Sequence, residues 1–155
     1  MRVHTYERAF LTLGGGLLVV FAGALAWATL GMGMHLPGRG GRLDPAKVQQ
    51  TPPFDHPGVR QTGPGQYEAV IVGFTWGFLP AEIDVPANAE ITFVATSMDV
   101  IHGFEVEGTR VNMMLIPGQV SRLTYRFKEP GEHLLICHEY CGLGHQTMHA
   151  KVVVQ

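Results

Sequence analysis

The residues best suited to chemistry lie in a short stretch near the C-terminus. The chain's only two cysteines are followed by a histidine and a methionine, in the order Cys137, Cys141, His145 and Met148. Thiolate, imidazole and thioether groups are the ligand set that selects copper among biological metals, whereas magnesium and calcium prefer carboxylate and carbonyl oxygens. The pattern therefore predicts a soft-metal site, in which two neighbouring thiolates could bridge a pair of ions.

His102 is the best candidate for a further ligand from another part of the chain. It follows the segment 98–101 and begins a predicted strand rather than lying inside one. Ligands are commonly placed on loops that a rigid β scaffold holds in position. A histidine at this place, together with the C-terminal ligand loop, would close a metal site across two strands.

The scaffold that positions these residues is predicted to be all-β. Over residues 66–155, short apolar segments alternate with turn residues, and Ile91, Phe93 and Ala95 show the alternation of a half-buried strand. This pattern favours a single β-sandwich or barrel over that range. The predicted strands cover residues 67–73, 74–78, 81–85, 90–96, 103–108, 110–115, 120–127, 132–137 and 150–154.

The N-terminal segment is apolar enough to cross a membrane. Residues 9–30 carry no charged side chain, and a helix of that length extends about 33 Å, against a hydrocarbon core of about 30 Å. We predict an N-terminal tail over residues 1–8 and a transmembrane anchor over residues 9–30. The alternative is a cleaved signal peptide with Arg2 and Arg8 as its basic region. Either interpretation sends the rest of the chain across the membrane.

The segment between the anchor and the β domain has no apolar periodicity. Residues 31–65 are rich in glycine and proline, which predicts an irregular linker. The whole chain has 155 residues and a formal net charge of -2, so there is no electrostatic case for binding nucleic acid. These features predict one β domain that follows a single-pass anchor and a linker.

The ligand motif resembles that of a known family. The run VIHGF at residues 100–104, with CHEYCGLGHQTMHAKVVV at residues 137–154, is similar to the copper A (CuA) domain of subunit II of heme-copper cytochrome oxidases. That family's pattern is Cys-x-Glu-x-Cys-x-x-x-His-x-x-Met with an upstream histidine, and every position is filled here. The resemblance implies a cupredoxin-like Greek-key β-barrel over residues 66–155 that holds two copper ions.

The resemblance also implies a role for each matching residue. Cys137 and Cys141 would bridge both coppers, and His102 and His145 would each bind one of them. Two weak ligands would complete the site, namely the Met148 thioether and the backbone carbonyl of Glu139. In one branch of the family the side chain at the position of Glu139 also helps to hold magnesium at the interface with subunit I. Magnesium is left open here, because its other partners would lie on another chain.

The implied function is electron transfer within a terminal oxidase. The copper pair would accept electrons from cytochrome c, or a similar donor, and pass them to heme in subunit I, where oxygen is reduced. The chain has no heme-binding Cys-x-x-Cys-His motif.

The single anchor of the chain resembles that of the short subunit II of B-type oxidases, in which a small helical subunit supplies a second helix. The implied location is a bacterial or archaeal cell membrane, with the C-terminal domain on the outer side.

The aromatic run Phe74, Trp76 and Phe78 occupies the place where the family receives electrons from cytochrome c. Trp76 is therefore predicted as the residue through which electrons enter the domain. The alternative is that these aromatic residues only pack in the core, which is the commoner role of a tryptophan on a strand.

Other interpretations of the motif remain open from sequence alone. Cys137 and Cys141 could form a disulfide, although so small a loop contributes little stabilisation. Two cysteines and two histidines could hold structural zinc, which would leave Met148 unused. A blue-copper carrier needs only one cysteine, and nitrous oxide reductase needs a much longer chain. A different class of function is a membrane-tethered copper-binding or copper-delivery protein outside an oxidase complex.

Overall fold

The computed structural model describes residues 4–32 and 40–155. Helix α1 (Thr5–Leu30) has a mean hydropathy of 2.1 over its most apolar window and is, within those ranges, the one helix long and apolar enough to span a membrane. It begins four residues before the predicted anchor, because the Glu7 carboxylate accepts a hydrogen bond from the backbone N–H of His4 at 2.8 Å and caps the first turn. The helix and the β domain are separate compact units.

Residues 40–155 form two five-stranded sheets, so the predicted all-β architecture is confirmed. The strands are β1 (Gly58–Gly63), β2 (Gln66–Phe74), β3 (Gly77–Leu79), β4 (Glu82–Val85), β5 (Glu90–Ser97), β6 (His102–Val106), β7 (Asn112–Leu115), β8 (Ser121–Tyr125), β9 (Gly131–Ile136) and β10 (His149–Val154). The first sheet has the order β1-β2-β5-β8, with β3 paired to the C-terminal end of β2, and the second has the order β4-β10-β9-β6-β7. The pairs β2–β5 and β4–β10 are parallel, and the other pairs are antiparallel.

The main core lies between the two sheets. Alternate residues of β2 and β5, such as Ile71 and Phe93, face inward and meet Phe104 and Leu135 of the second sheet. The rings of Phe93 and Phe104 lie 5.7 Å apart, a separation typical of favourable aromatic pairs. This rigid sandwich carries the loops described below at one end of β6, β9 and β10.

Part of the predicted linker is folded. Residues 40–57, which we call the strap, contain a 3-10 helix (Pro45–Gln50) and pack on the outer face of the first sheet. The side chains of Val48 and Phe54 are almost fully buried there, against Val70 and Val94. Residues 58–63 then form β1. Much of the segment predicted as a linker or irregular lead-in thus packs on the β domain, while residues 33–39 lie outside the described ranges. The central strands β2 and β5 are consequently buried on both faces over residues 69–73 and 93–97.

The aromatic run was also predicted as one strand, and the structure instead folds it into a hairpin. Strand β2 ends at Phe74, β3 begins at Gly77, and these two residues pair across the turn. Gly77 suits this place because a Cβ there would lie 2.9 Å from the Phe74 ring. Trp76 is therefore at the tip of a tight turn rather than inside a strand.

Candidate metal centre

The predicted ligands come together at one end of the sandwich because each lies at the end of a strand or on the loop between two strands. His102 is the first residue of β6, Cys137 directly follows β9, and Met148 directly precedes β10. Cys141 and His145 lie on the loop that joins β9 to β10. The backbone N–H of Cys137 donates to the carbonyl of Met148 at 3.2 Å, so the two ends of this loop are tied together.

The sulfur atoms form the centre of the cluster. Cys137 and Cys141 are free thiols whose Sγ atoms lie 3.8 Å apart. Both residues are more than nine-tenths buried. Two atoms that each bind one ion at about 2.3 Å can be separated by this distance, so both sulfurs can reach a shared ion.

An imidazole and a weaker donor flank each sulfur. The Sγ of Cys137 lies 4.0 Å from Nδ1 of His102 and 3.2 Å from the main-chain oxygen of Glu139. The Sγ of Cys141 lies 3.6 Å from Nδ1 of His145 and 3.6 Å from Sδ of Met148. The structure thus brings all six predicted metal-site residues together, with the Glu139 carbonyl rather than its carboxylate facing a thiol.

Burial disfavours ionisation of the Cys141 thiol before any metal binds. Removal from water raises the pKa of the Cys141 thiol well above its ordinary value, and the neighbouring Cys137 adds to this effect. The protein without metal therefore holds this thiol in its neutral form at neutral pH. Metal binding must displace that proton, since the thiolate is the ligand.

His102 is completely buried, and its outer ring nitrogen is paired with a carboxylate. Its Nε2 lies 2.8 Å from Oδ1 of Asp99. Burial acts to raise the pKa of Asp99, but hydrogen bonds from His102, Thr75 and Val100 outweigh it, so the pKa lies below its ordinary value. Nothing in the amino-acid pattern indicated a role for Asp99 beyond its position three residues before a predicted ligand.

The aromatic residues of the hairpin separate into different environments. Trp76 is 45% exposed, and its indole Nε1–H donates to the main-chain oxygen of Cys141 at 3.2 Å. Phe78 is 3% exposed and packs edge-on against Phe104 in the core, and Phe74 is half-buried. Of the three residues predicted to receive electrons, Trp76 alone is both exposed and bonded to the ligand loop, whereas Phe78 cannot offer a surface to a partner.

Two glycines of the ligand loop provide the surface on which Trp76 lies. A Cβ at Gly144 would lie 2.5 Å from the indole ring, and one at Gly142 would lie 3.2 Å from its Nε1. Gly142 also has a φ of +115°, which side-chain-bearing residues rarely adopt. These glycines were not predicted as site residues, although the spacing Gly-x-Gly between two ligands could have indicated a close approach.

The donor set fits copper better than the alternatives. A disulfide would leave His145 and Met148 without a role, and the two cysteines are free thiols. Structural zinc would use two thiols and two imidazoles, yet the Met148 thioether is 2% exposed and directed at Cys141. Soft sulfur donors together with imidazole favour copper. Nothing in the cluster resembles the oxygen cage of a hard cation.

The amino-acid sequence matches characterised proteins along most of its length. Residues 78–155 match the family described as cytochrome c oxidase subunit II, periplasmic domain. The chain is similar to cytochrome c oxidase subunit 2 of Thermus thermophilus, with 46% identity over 157 residues, which cover 99% of this chain and 94% of that protein. It is also similar to the alternative cytochrome c oxidase subunit 2 of Bradyrhizobium diazoefficiens, with 31% identity over 78% of this chain and 42% of that protein.

Solved structures resemble the chain as well. A heme-copper terminal oxidase dimer, determined by cryo-EM, contains a chain that matches with a TM-score of 0.74 and 32% identity, covering 97% of this chain and 99% of that one. The periplasmic domain of cytochrome oxidase subunit II of Bradyrhizobium japonicum matches with a TM-score of 0.53 and 22% identity, over 57% of this chain and 83% of that one. The second likeness shows a shared fold and confirms the predicted cupredoxin-like architecture.

Proposed function

The chain belongs to the cytochrome c oxidase subunit II family, and from that membership and the geometry of its ligands we propose that it carries a binuclear copper centre for electron transfer. As a subunit II it is a component of a heme-copper oxidase, which is an oxidoreductase complex. The proposed centre accepts electrons from cytochrome c, or a similar donor, and passes them to heme in subunit I. Oxygen reduction then takes place on that partner.

The pair of free thiols carries this proposal. A site for a single copper ion needs only one thiolate, whereas here two thiols lie 3.8 Å apart and each has its own imidazole neighbour. Cys137 and Cys141 are the proposed bridging ligands, and His102 and His145 the terminal ones. Met148 and the Glu139 carbonyl are the proposed weak ligands.

The residues around the cluster suit rapid electron transfer. A copper pair held by both thiolates would share one unpaired electron, so the charge on each ion would change little. His102 and Met148 are at least 98% buried, which excludes water from their side of the site. The strand ends and the loop hydrogen bonds hold the donors in place before metal arrives. A site fixed in this way needs little rearrangement when its charge changes.

Trp76 is the proposed contact with the electron donor. Its exposed ring can meet a partner, and its hydrogen bond ends on the carbonyl of a proposed copper ligand. Tyr140 and Leu143, on the same loop as the ligands, are 73% and 84% exposed. Exposed aromatic and apolar residues that lie close together are typical of protein contacts.

The proposed placement follows from α1 and from the family. The protein is membrane-anchored, and we place its C-terminal domain on the outer side of a bacterial or archaeal cell membrane. Subunit I is the proposed acceptor, and a small helical subunit is a further proposed partner. The glycines of α1 would allow another helix to approach closely. Magnesium at the Glu139 side chain would need further groups from subunit I.

Copper stoichiometry and electron paramagnetic resonance test the binuclear centre. The full chain, purified in detergent and loaded with copper, should bind two ions and show a spectrum in which the unpaired electron couples equally to both nuclei. The variant Cys141→Ser should lose this signature, because one bridge is absent. A single copper with coupling to one nucleus in the unaltered protein would disprove the assignment.

Purification from the native membrane tests the oxidase role separately. The chain should purify with a heme-bearing subunit under gentle solubilisation. A chain that binds copper but always purifies alone would favour the other candidate function, a tethered copper-binding or copper-delivery protein.

A further inference from the structure

Asp99 accepts hydrogen bonds at both of its carboxylate oxygens. Oδ1 accepts from the backbone N–H of Val100 at 2.6 Å and lies 2.8 Å from Nε2 of His102. Oδ2 accepts from the backbone N–H and the hydroxyl of Thr75, at 2.7 and 2.9 Å. The carboxylate thus joins a predicted metal ligand to the turn between β2 and β3, although the side chain itself is 29% exposed.

The pairing with Asp99 decides which ring nitrogen of His102 faces the thiols. An ionised carboxylate has no proton to donate, so the hydrogen must lie on Nε2 of His102. Nδ1 is then the nitrogen with a free lone pair, and it is the one directed at Cys137, 4.0 Å from Sγ. The carboxylate therefore prepares the ring as a ligand before metal binds.

The second imidazole is held differently. His145 is half-buried, and its ring packs edge-on against exposed Tyr140 at 5.8 Å. Among the described residues, no carboxylate lies within ion-pair distance of its ring. A histidine that donates to a carboxylate is a stronger and better-oriented metal ligand than one that does not. The two imidazoles of the cluster are consequently unequal.

The same carboxylate also fixes the neighbour of Trp76. Thr75 donates two hydrogen bonds to the carboxylate of Asp99. The indole of Trp76 donates one to the main-chain oxygen of Cys141 on the ligand loop. The turn is therefore attached on one side to the loop that precedes His102 and on the other to the loop that carries Cys141 and His145. Asp99 is the residue that makes the first of these two attachments.

We propose that Asp99 is a positioning residue for the metal centre, which orients His102 with Nδ1 toward the thiols and anchors the turn that bears Trp76. This inference rests on the proposed role of His102 as a copper ligand. It goes further in assigning a function to a residue outside the ligand set, and it predicts that the two histidines respond differently to substitution.

The tautomer of His102 is the first test, and it needs no metal. The full chain in detergent micelles, labelled with ¹⁵N at histidine, should show His102 with its proton on Nε2 at about pH 8, where a free imidazole is neutral. The signal is assigned by its loss in His102→Asn. Asp99→Ala should give a mixture of tautomers, whereas Asp99→Asn should keep the original one, because an amide oxygen still accepts from Nε2–H. A proton on Nδ1 in the unaltered protein would overturn the proposal.

Copper affinity is the second test, measured as competition between the protein and a copper(I) chelator. Asp99→Ala should weaken binding by about 10–100-fold, the usual effect of removing a carboxylate behind a ligating histidine. Asp99→Asn should recover a large part of that loss. Thr75→Val is the matched control, since it removes one bond to Asp99 and leaves the pairing with His102 intact. We expect its affinity to stay within about threefold of the unaltered protein.

The tautomer of His102 and the copper affinity must change together. Asp99→Ala with an unchanged tautomer, or with an unchanged affinity, overturns the positioning role. Thermal unfolding and circular dichroism establish whether each variant is folded. If Asp99→Ala does not fold, the tautomer of His102 in the unaltered protein still decides whether Asp99 positions the ring. Failure of the unaltered protein to bind copper would refute the proposed function instead, and that outcome is separate from any effect at Asp99.

Discussion

The indole nitrogen of Trp76 donates a hydrogen bond to the main-chain oxygen of Cys141, at 3.2 Å. The Trp76 side chain is thus partly exposed at the surface, and its indole nitrogen is bonded to a proposed copper ligand. The contact joins the β2–β3 turn to the β9–β10 loop, which are far apart in sequence. In the proposed function, this contact would give electrons a short route of bonds from the protein surface to the metal centre.

Trp76→Phe should slow reduction of the copper-loaded protein by cytochrome c. Phenylalanine keeps an aromatic surface but loses the hydrogen bond and part of the contact area. These losses predict a decrease of about tenfold in the second-order rate constant, measured by stopped-flow absorbance.

The control for this variant is Leu79→Ala, which removes an exposed apolar side chain from β3, the strand that follows the turn. Its rate constant should stay within about twofold of the unaltered protein. The copper spectrum should be unchanged in both variants. A Trp76→Phe protein that is reduced at the original rate would remove Trp76 from the proposed route.

Gly144→Ala should displace Trp76 without straining the backbone. Gly144 has a φ of -93°, which any residue adopts, so the effect is steric. The new Cβ would lie 2.5 Å from the indole ring, and overpacking of this kind costs about 1–3 kcal/mol. We expect a lower melting temperature and altered tryptophan fluorescence.

A double variant distinguishes this cause from a general effect on the loop. In Trp76→Ala/Gly144→Ala the new methyl group has room, so the second substitution should add little to the first. Equal destabilisation by Gly144→Ala in both backgrounds would show that the indole ring is not the obstacle.

The candidate metal site could be predicted from the sequence because its ligands are set by local spacing. Cys137, Cys141, His145 and Met148 lie on one loop, and a loop of fixed length between paired strands brings its ends together. His102 required only that a strand begin at the same end of the sandwich. The pairing of Asp99 could not be predicted, because it depends on the direction of a side chain in a turn.

The strap was missed for a different reason. Its buried residues, Val48 and Phe54, are isolated between prolines and polar residues, and they have no periodicity that predicts an element. The signal lay instead in β2, where residues 69–72 are continuously apolar rather than alternating. Such a run indicates a strand that is covered on both faces, so something had to cover the outer one.

Phe54→Ala should therefore destabilise the β domain although the residue lies far from the ligands in sequence. Phe54 is 2% exposed and packs with Val70 and Val94 between the strap and the first sheet. Loss of a buried phenylalanine costs about 3–5 kcal/mol, which thermal or urea unfolding would detect. Lys47→Ala, on the exposed side of the strap, should change stability by less than about 0.5 kcal/mol. Equal stability of the two variants would mean that the strap is not part of the folded domain.

Met148→Leu separates packing from metal binding at the candidate centre. Leucine nearly conserves the volume of this buried side chain, so the metal-free protein should lose less than about 1.5 kcal/mol of stability. The thioether of Met148, however, lies 3.6 Å from Sγ of Cys141, and the substitution removes it as a donor. Loss of a copper donor would change the relative stability of the oxidised and reduced centre, so the reduction potential should shift, as spectroelectrochemical titration would measure. Met113→Leu, a half-buried methionine on β7, is the matched control and should leave the potential unchanged. A potential that is the same in both variants would exclude Met148 from the ligand set.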